Sequence, residues 1–169
     1  MHHLLITWCD TPARAPKLAD FFAGNVGPDY ISHAELQGGR ALSPTEWRPN
    51  LREILRAEIE PRLAAGSPGP DSKPIAVAEQ EGVLVALSYV TFAASASVPF
   101  AIVEDLIVSA DARGHGVGKA MLDWIDEEAR ARGIRRLFLE SGIANKRAHE
   151  FFEREGFRPT SVVMMKSLD

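Results

Sequence analysis

The chain has 169 residues, a length that suits one compact domain, spanning 1–169, with a sizeable core. Apolar residues make up 46% and charged residues 25%, which fits a globular protein. The net charge of −4 and a pI near 5.7 argue against a nucleic-acid binder, which carries a basic excess.

Leu4–Cys9 reads as a first strand. Its Cys9, the one cysteine, cannot form an intrachain disulfide and is expected to be a small buried hydrophobe in a reducing, cytoplasmic setting. His2 and His3 are read as solvated terminal residues. Asp10 and Pro12 interrupt any apolar run of signal-peptide kind. Thr11-Pro12 opens a helix with Leu18, Phe21 and Phe22 on one face and Gly24 near its end. Gly27–Arg40 reads as polar and irregular. Ser43-Pro44-Thr45-Glu46 has capping-box spacing with Pro at the first helical position. A helix is therefore expected from there, carrying Leu51, Ile54, Leu55, Ile59 and Leu63 at helical intervals and disturbed by Pro49 and Pro61.

Gly66–Pro74 is a loop by composition. Between Glu81 and Glu104 there is no charged residue, and that length would span a bilayer. Ser88, Thr91, Ser95, Ser97 and Pro99 and a small-residue break at Ala93–Ser97 instead divide it into strand-sized runs, so no membrane span is expected. Ile75–Glu79 and Val83–Phe92 form a hairpin turning at Glu81-Gly82, and Phe100–Val108 is the next strand.

That strand feeds Arg113-Gly114-His115-Gly116-Val117-Gly118 and then a helix from Lys119 to Arg132. Three glycines at alternate positions let the backbone approach a ligand closely. The helix behind them has unpartnered first amides and a dipole that favours negative charge. Arg113 adds a positive charge at the entrance. A strand, a glycine-rich loop and a helix N-terminus together make a phosphate cradle. Two familiar nucleotide loops do not fit. A P-loop requires glycine where Arg113 stands and Ser or Thr where Ala120 stands, so no hydroxyl is placed for magnesium. The dinucleotide fingerprint requires a small residue where Lys119 stands.

In the following helix Val117, Met121, Trp124, Ile125 and Ala129 share one face. Gly133 ends it, Arg136–Glu140 is a strand, Asn145–Glu155 is a short helix stopped by Gly156, and Thr160–Lys166 is a last strand. Asn145 suits a helix N-cap. The order β-α-α-β-β-β-α-β-α-β is an α/β fold with a mixed sheet. No His, Cys or Asp spacing suggests a metal site. His33, His115 and His149 read as solvent-facing residues, and His115 matters through its backbone.

This order, with Arg113-Gly114-His115-Gly116-Val117-Gly118 and Ala148-His149-Glu150-Phe151-Phe152-Glu153-Arg154-Glu155-Gly156-Phe157, resembles the GNAT N-acetyltransferase superfamily. The match is specific from about Phe100 to Phe157. The family's Gln/Arg-x-x-Gly-x-Gly/Ala loop is met by Arg113, Gly116 and Gly118. The resemblance implies a GNAT-like mixed, splayed central sheet flanked by helices, with acetyl-CoA as cosubstrate. The pantetheine arm would pair with Leu106, Ile107 and Val108, and the diphosphate would sit on the amides of Gly114, His115, Gly116, Val117, Gly118 and Lys119. Asn145 matches a position that contacts the cofactor arm, and Phe152 would pack against cofactor or core. The acyl group would pass directly to an amine, with the thioester carbonyl polarised by the backbone N–H near Val108.

The resemblance makes Glu104 the candidate catalytic residue, as general base or as a binder of a cationic acceptor. Asp105 points to the opposite face by strand alternation and is the poorer candidate. Many members carry Tyr at the position of Phe152 to protonate the leaving thiolate. Phe152 has no proton to give, which leaves water or Ser141. The acceptor expected is a small primary amine or amino-acid-like metabolite, met by Asp20–Trp47 and the last strand, with no nucleic acid and no membrane partner. Family members are often dimers, so a homodimer is compatible with the resemblance. The alternatives are a non-catalytic acyl-CoA-binding sensor, favoured by Phe152, and an acyltransferase using another acyl donor.

Overall fold

A computed structural model describes residues 3–169; the expectation for His2 lies outside the described residues. The chain divides into two compact units, one made of residues up to Val26 with Pro49–Glu140, the other of Gly27–Arg48 with Ser141–Asp169.

The first unit holds a mixed sheet in the order β1 (Leu4–Cys9), β5 (Ile75–Gln80), β6 (Val83–Ala93), β7 (Phe100–Val108) and β8 (Leu137–Leu139), with the short β4 (Asp71–Ser72) beside β6. All these pairs are antiparallel except β7 with β8. The uncharged stretch thus forms β6, a turn and the first four residues of β7. Among the described residues no helix is long and apolar enough to cross a membrane. The β5–β6 hairpin turns at Glu81 and Gly82, both left-handed at φ 51° and 78°, as a two-residue hairpin turn of the primed kind requires. Cys9 is buried.

Helices cover both faces of this sheet. α1 (Ala15–Gly24), entered through a 3-10 turn at Pro12–Arg14, sends Phe22 edge-on against Tyr89 of β6. α3 (Leu51–Ala64) lies beside α1 and buries Leu51, Leu55, Ile59 and Leu63. On the opposite face α4 (Val117–Ala131) buries Val117, Met121, Leu122, Ile125 and Ala129, with Trp124 packed on Trp8 of β1 at 4.6 Å between ring centroids. The apolar stripe at helical spacing is what fixes α4 against the strands.

The α3 helix does not begin at Ser43. Pro44 and Thr45 instead turn a small hairpin between β2 (Ala41–Ser43) and β3 (Glu46–Trp47), and the Thr45 N–H donates to Ser43 Oγ at 3.3 Å. Pro61 sits in the last turn of α3, which absorbs it. A real capping box lies in the segment expected to be irregular: Glu35 Oε2 accepts from the Ser32 N–H at 2.7 Å and opens α2 (His33–Gln37). Both hairpin and α2 belong to the second unit. So does α5 (Lys146–Arg154), capped by Asn145 Oδ1 accepting from the Ala148 N–H at 3.4 Å.

The expected last strand, Thr160–Lys166, does not form. Val162, Val163, Met164 and Met165 are exposed. An extended segment gains little without a ladder partner, and none is paired to this one among the described residues.

Candidate functional site

The glycine loop stands as the sequence requires. After β7 a 3-10 turn at Ala110–Ala112 leads into Arg113, and Gly114 and Gly116 are left-handed at φ 78° and 81°. An L-residue pays for that conformation, and a β-branched one most. Gly116 is the N-cap of α4 and offers no side chain to the first turn. The amides of Val117, Gly118 and Lys119 therefore lack a side-chain cap, and no acidic residue lies in that turn. A Cβ built on Gly114 or Gly116 would meet no atom within 4 Å, so the space beside both glycines is open. His115 is exposed, and Lys119 Nζ pairs with Asp123 at 2.9 Å. Val117 is buried and anchors the helix start.

Arg113 differs from its expected use. Its Nε–H donates to the carbonyl of Val108 at 3.1 Å and its Nη2–H to the carbonyl of Asn25 at 2.6 Å. The guanidinium braces the loop against the end of β7 and of α1 while keeping its charge beside the cradle.

β8 pairs with β7 only at Ala101–Val103. From Glu104 to Val108, the stretch holding Leu106, Ile107 and Val108, that edge of β7 carries no strand partner among the described residues. A free strand edge is a template for an extended ligand chain.

Glu104 itself is the extra residue of a β-bulge. Tyr89 pairs with Asp105 and Val90 with Val103, which leaves Glu104 unpaired. Strict alternation fails at that point. Asp105 lies opposite Tyr89 and so on the same face as Glu104, contrary to expectation, and it is only 3% exposed. Both Glu104 oxygens are engaged. Oε1 accepts from the Thr91 hydroxyl at 2.6 Å, and Oε2 pairs with Arg62 Nη2 from α3. The same guanidinium lies over the Tyr89 ring, 4.8 Å from its centroid, and its Nη1 is buried with no hydrogen-bond partner among the described residues. Burial, the largest single influence, pushes the Glu104 pKa up. The Thr91 hydroxyl, the Arg62 charge and hydrogen bond, and the charge of Lys73 together outweigh it and hold the carboxyl below its ordinary value of about 4.5.

Arg62, Thr91 and Asn25, which hold Glu104 and Arg113, carry no signal of this in the sequence. Arg62 is 42 positions from Glu104 and Asn25 is 88 from Arg113, and no local spacing connects them. Only the fold brings them in.

Asn145 and Phe152 belong to the second unit. Asn145 is the N-cap already described. Phe152 packs on Phe151 at 5.2 Å and edge-on to Phe157 at 5.7 Å, so its ring has apolar neighbours of its own. No group of three or more His, Cys, Asp or Glu side chains fit to hold a metal occurs among the described residues.

Comparison with known proteins finds N-acetyltransferases both in sequence and in structure. A stretch of 66 residues is 33% identical to the aminoalkylphosphonate N-acetyltransferase of Salmonella typhimurium, covering 39% of this chain and 43% of that one. A stretch of 56 residues is 43% identical to an uncharacterized N-acetyltransferase of Bacillus subtilis, covering 33% and 36%. The chain thus spans less than half the length of the curated relatives it matches. An aminoglycoside N-acetyltransferase solved in complex with CoA superposes with a TM-score of 0.68 at 15% identity, over 99% of this chain and 95% of that one, a likeness of fold. The sequence profile of the acetyltransferase (GNAT) family matches residues 40–157, well over half the chain, and takes in the bulged strand, the glycine loop and α5. The chain belongs to the acetyltransferase (GNAT) family.

Proposed function

We propose that the chain is an acetyl-CoA-dependent N-acetyltransferase whose acceptor is a small primary amine. The observation that carries this reading is the uncapped start of α4, set behind two left-handed glycines at the end of a strand whose edge from Glu104 to Val108 has no strand partner among the described residues. Open space beside Gly114 and Gly116 and the absence of acidic side chains in the first turn suit a diphosphate. The names of two relatives, an aminoalkylphosphonate and an aminoglycoside N-acetyltransferase, support an amine acceptor.

Bound acetyl-CoA would supply the thioester acyl donor and a thiolate leaving group. The amides from Gly114 to Lys119 grip the diphosphate. Leu106, Ile107 and Val108 hold the pantetheine arm as an added strand, and the N–H near Val108 polarises the thioester carbonyl. Glu104, held ionised by Thr91 and Arg62, attracts and orients a cationic acceptor. It is a weak base for the task, because an alkylammonium has a pKa near ~10 and this carboxyl sits below its ordinary value. The acceptor loses its proton to solvent, so the rate follows the ionisation of the amine. Phe152 has no proton to give, and a thiol with a pKa near ~8.5 would be a fair leaving group without an acid from this residue.

The test is release of free CoA thiol from acetyl-CoA over a panel of small amines. Turnover with at least one amine supports the reading. A second reading, a CoA-binding module without turnover, is favoured by the engagement of both Glu104 oxygens and by Phe152. CoA binding with no thiol release from any amine would select it. Comparison of acetyl-, propionyl- and succinyl-CoA identifies the donor.

A further inference from the structure

The link between the end of α1 and the glycine loop has no part in the chemistry above. Asn25 follows α1 and closes it: its N–H donates to the Phe22 carbonyl at 3.1 Å and its Nδ2–H to the Phe21 carbonyl at 2.8 Å. That fixes the main-chain N–H and the Nδ2 end of the side-chain amide, and the two carbonyl oxygens of Asn25 face the loop. Oδ1 accepts from the Ala110 N–H at 3.1 Å, and the Asn25 carbonyl accepts from Arg113 Nη2 at 2.6 Å. Arg113 in turn holds the Val108 carbonyl at 3.1 Å. One side chain and its own peptide group thus grasp the loop at two points, immediately before Gly114 and Gly116. A loop with two left-handed glycines has much freedom to lose on meeting a ligand. Holding it beforehand removes part of that cost.

We propose that Asn25 is the positioning residue of the phosphate loop: by clamping Ala110 and Arg113 to the end of α1 it pre-sets the amides that receive the diphosphate of CoA. This rests on the reading of the loop as the CoA site. No contact with the cofactor is assigned to Asn25. Its effect is confined to ligands that carry the diphosphate.

Two variants test it. Asn25→Ala removes the Oδ1 acceptor of the Ala110 N–H and leaves the main-chain carbonyl that holds Arg113. Ala110→Pro removes the same bond from the other side by deleting the N–H that Asn25 accepts. Position 110 opens a 3-10 turn behind Ser109, whose ψ of 145° suits a residue before proline, so the ring is tolerated there. Isothermal titration measures affinity for CoA and, at millimolar concentration, for pantetheine, which lacks the diphosphate. Both variants are expected to weaken CoA binding by about fivefold, the worth of one hydrogen bond, and to leave pantetheine binding within about twofold. If Asn25→Ala does not fold, Ala110→Pro carries the test. Undiminished CoA affinity in the folded variants overturns the proposal, as does an equal loss for CoA and pantetheine. A wild-type protein that binds no CoA overturns the loop reading itself, and this inference with it.

Discussion

The glycine loop and the Glu104 cluster share β7 but are built in opposite ways. The loop runs within one short contiguous segment and works through main-chain amides, so its design depends on where glycine can go. The Glu104 cluster gathers Thr91 from β6 and Arg62 from α3 and works through side chains. A substitution in the first changes a backbone conformation; in the second it leaves a charge without its partner. The loop should therefore answer to ligand affinity, and the cluster to stability and pH.

The largest effect is expected at Gly116. Gly116→Val forces a β-branched residue to φ near 81° and projects it into the open space beside the loop. Loss of two charge-assisted hydrogen bonds to a diphosphate corresponds to roughly 100-fold or more in CoA affinity by titration calorimetry. Unchanged affinity would break the contrast at its first arm.

Arg62→Leu comes next. It strands the Glu104 carboxylate in a setting where the two side chains are only 18% and 29% exposed. Breaking a fully buried pair costs about 3–5 kcal/mol, and partial exposure reduces this to roughly 1–3 kcal/mol in urea unfolding. The Glu104 pKa should rise in this variant, which carboxyl NMR titration reads. A neutral change in stability would mean that the pair is solvent-screened and the cluster is not a unit.

Glu104→Gln has a smaller effect with a defined pH signature. Because the folded-state pKa is depressed, the carboxylate adds stability that is fully present above its unfolded pKa. That stability is lost as pH falls through the folded value, below about 4.5. Wild type should exceed the variant in melting temperature at pH 7, and the two should converge toward pH 3. In turnover, the limb of the pH–rate profile between pH 6 and 9 should shift with the pKa of the amine used and keep its shape in Glu104→Gln. A limb that disappears in Glu104→Gln would make Glu104 the base after all. Asn145→Ala, at a cap whose hydrogen bond is 3.4 Å long, should cost about 0.5–1 kcal/mol.

Legibility followed the same division. The hairpin turn at Glu81-Gly82, the stripe on α4 and the loop itself depend on neighbours in sequence and were readable. The bulge was not, because it shows only when Tyr89 and Val90 are set against β7, and with it went the direction of Asp105. Ser43 to Glu46 had the spacing of a capping box, yet the true box lies at Ser32 and Glu35. Pro44 is as good in a turn as at a helix start, and a two-strand hairpin used it. Thr160–Lys166 has strand composition, but composition does not supply a ladder partner. Arg62 and Asn25 gave no signal, since their partners lie 42 to 88 positions away.

The most direct measurement is an amide-resolved NMR titration of the protein with CoA. Saturable shifts centred on the amides of Gly114 to Lys119 are expected, with the edge residues Leu106, Ile107 and Val108 following. CoA bound with those amides unmoved would contradict the claim that the start of α4 holds the diphosphate.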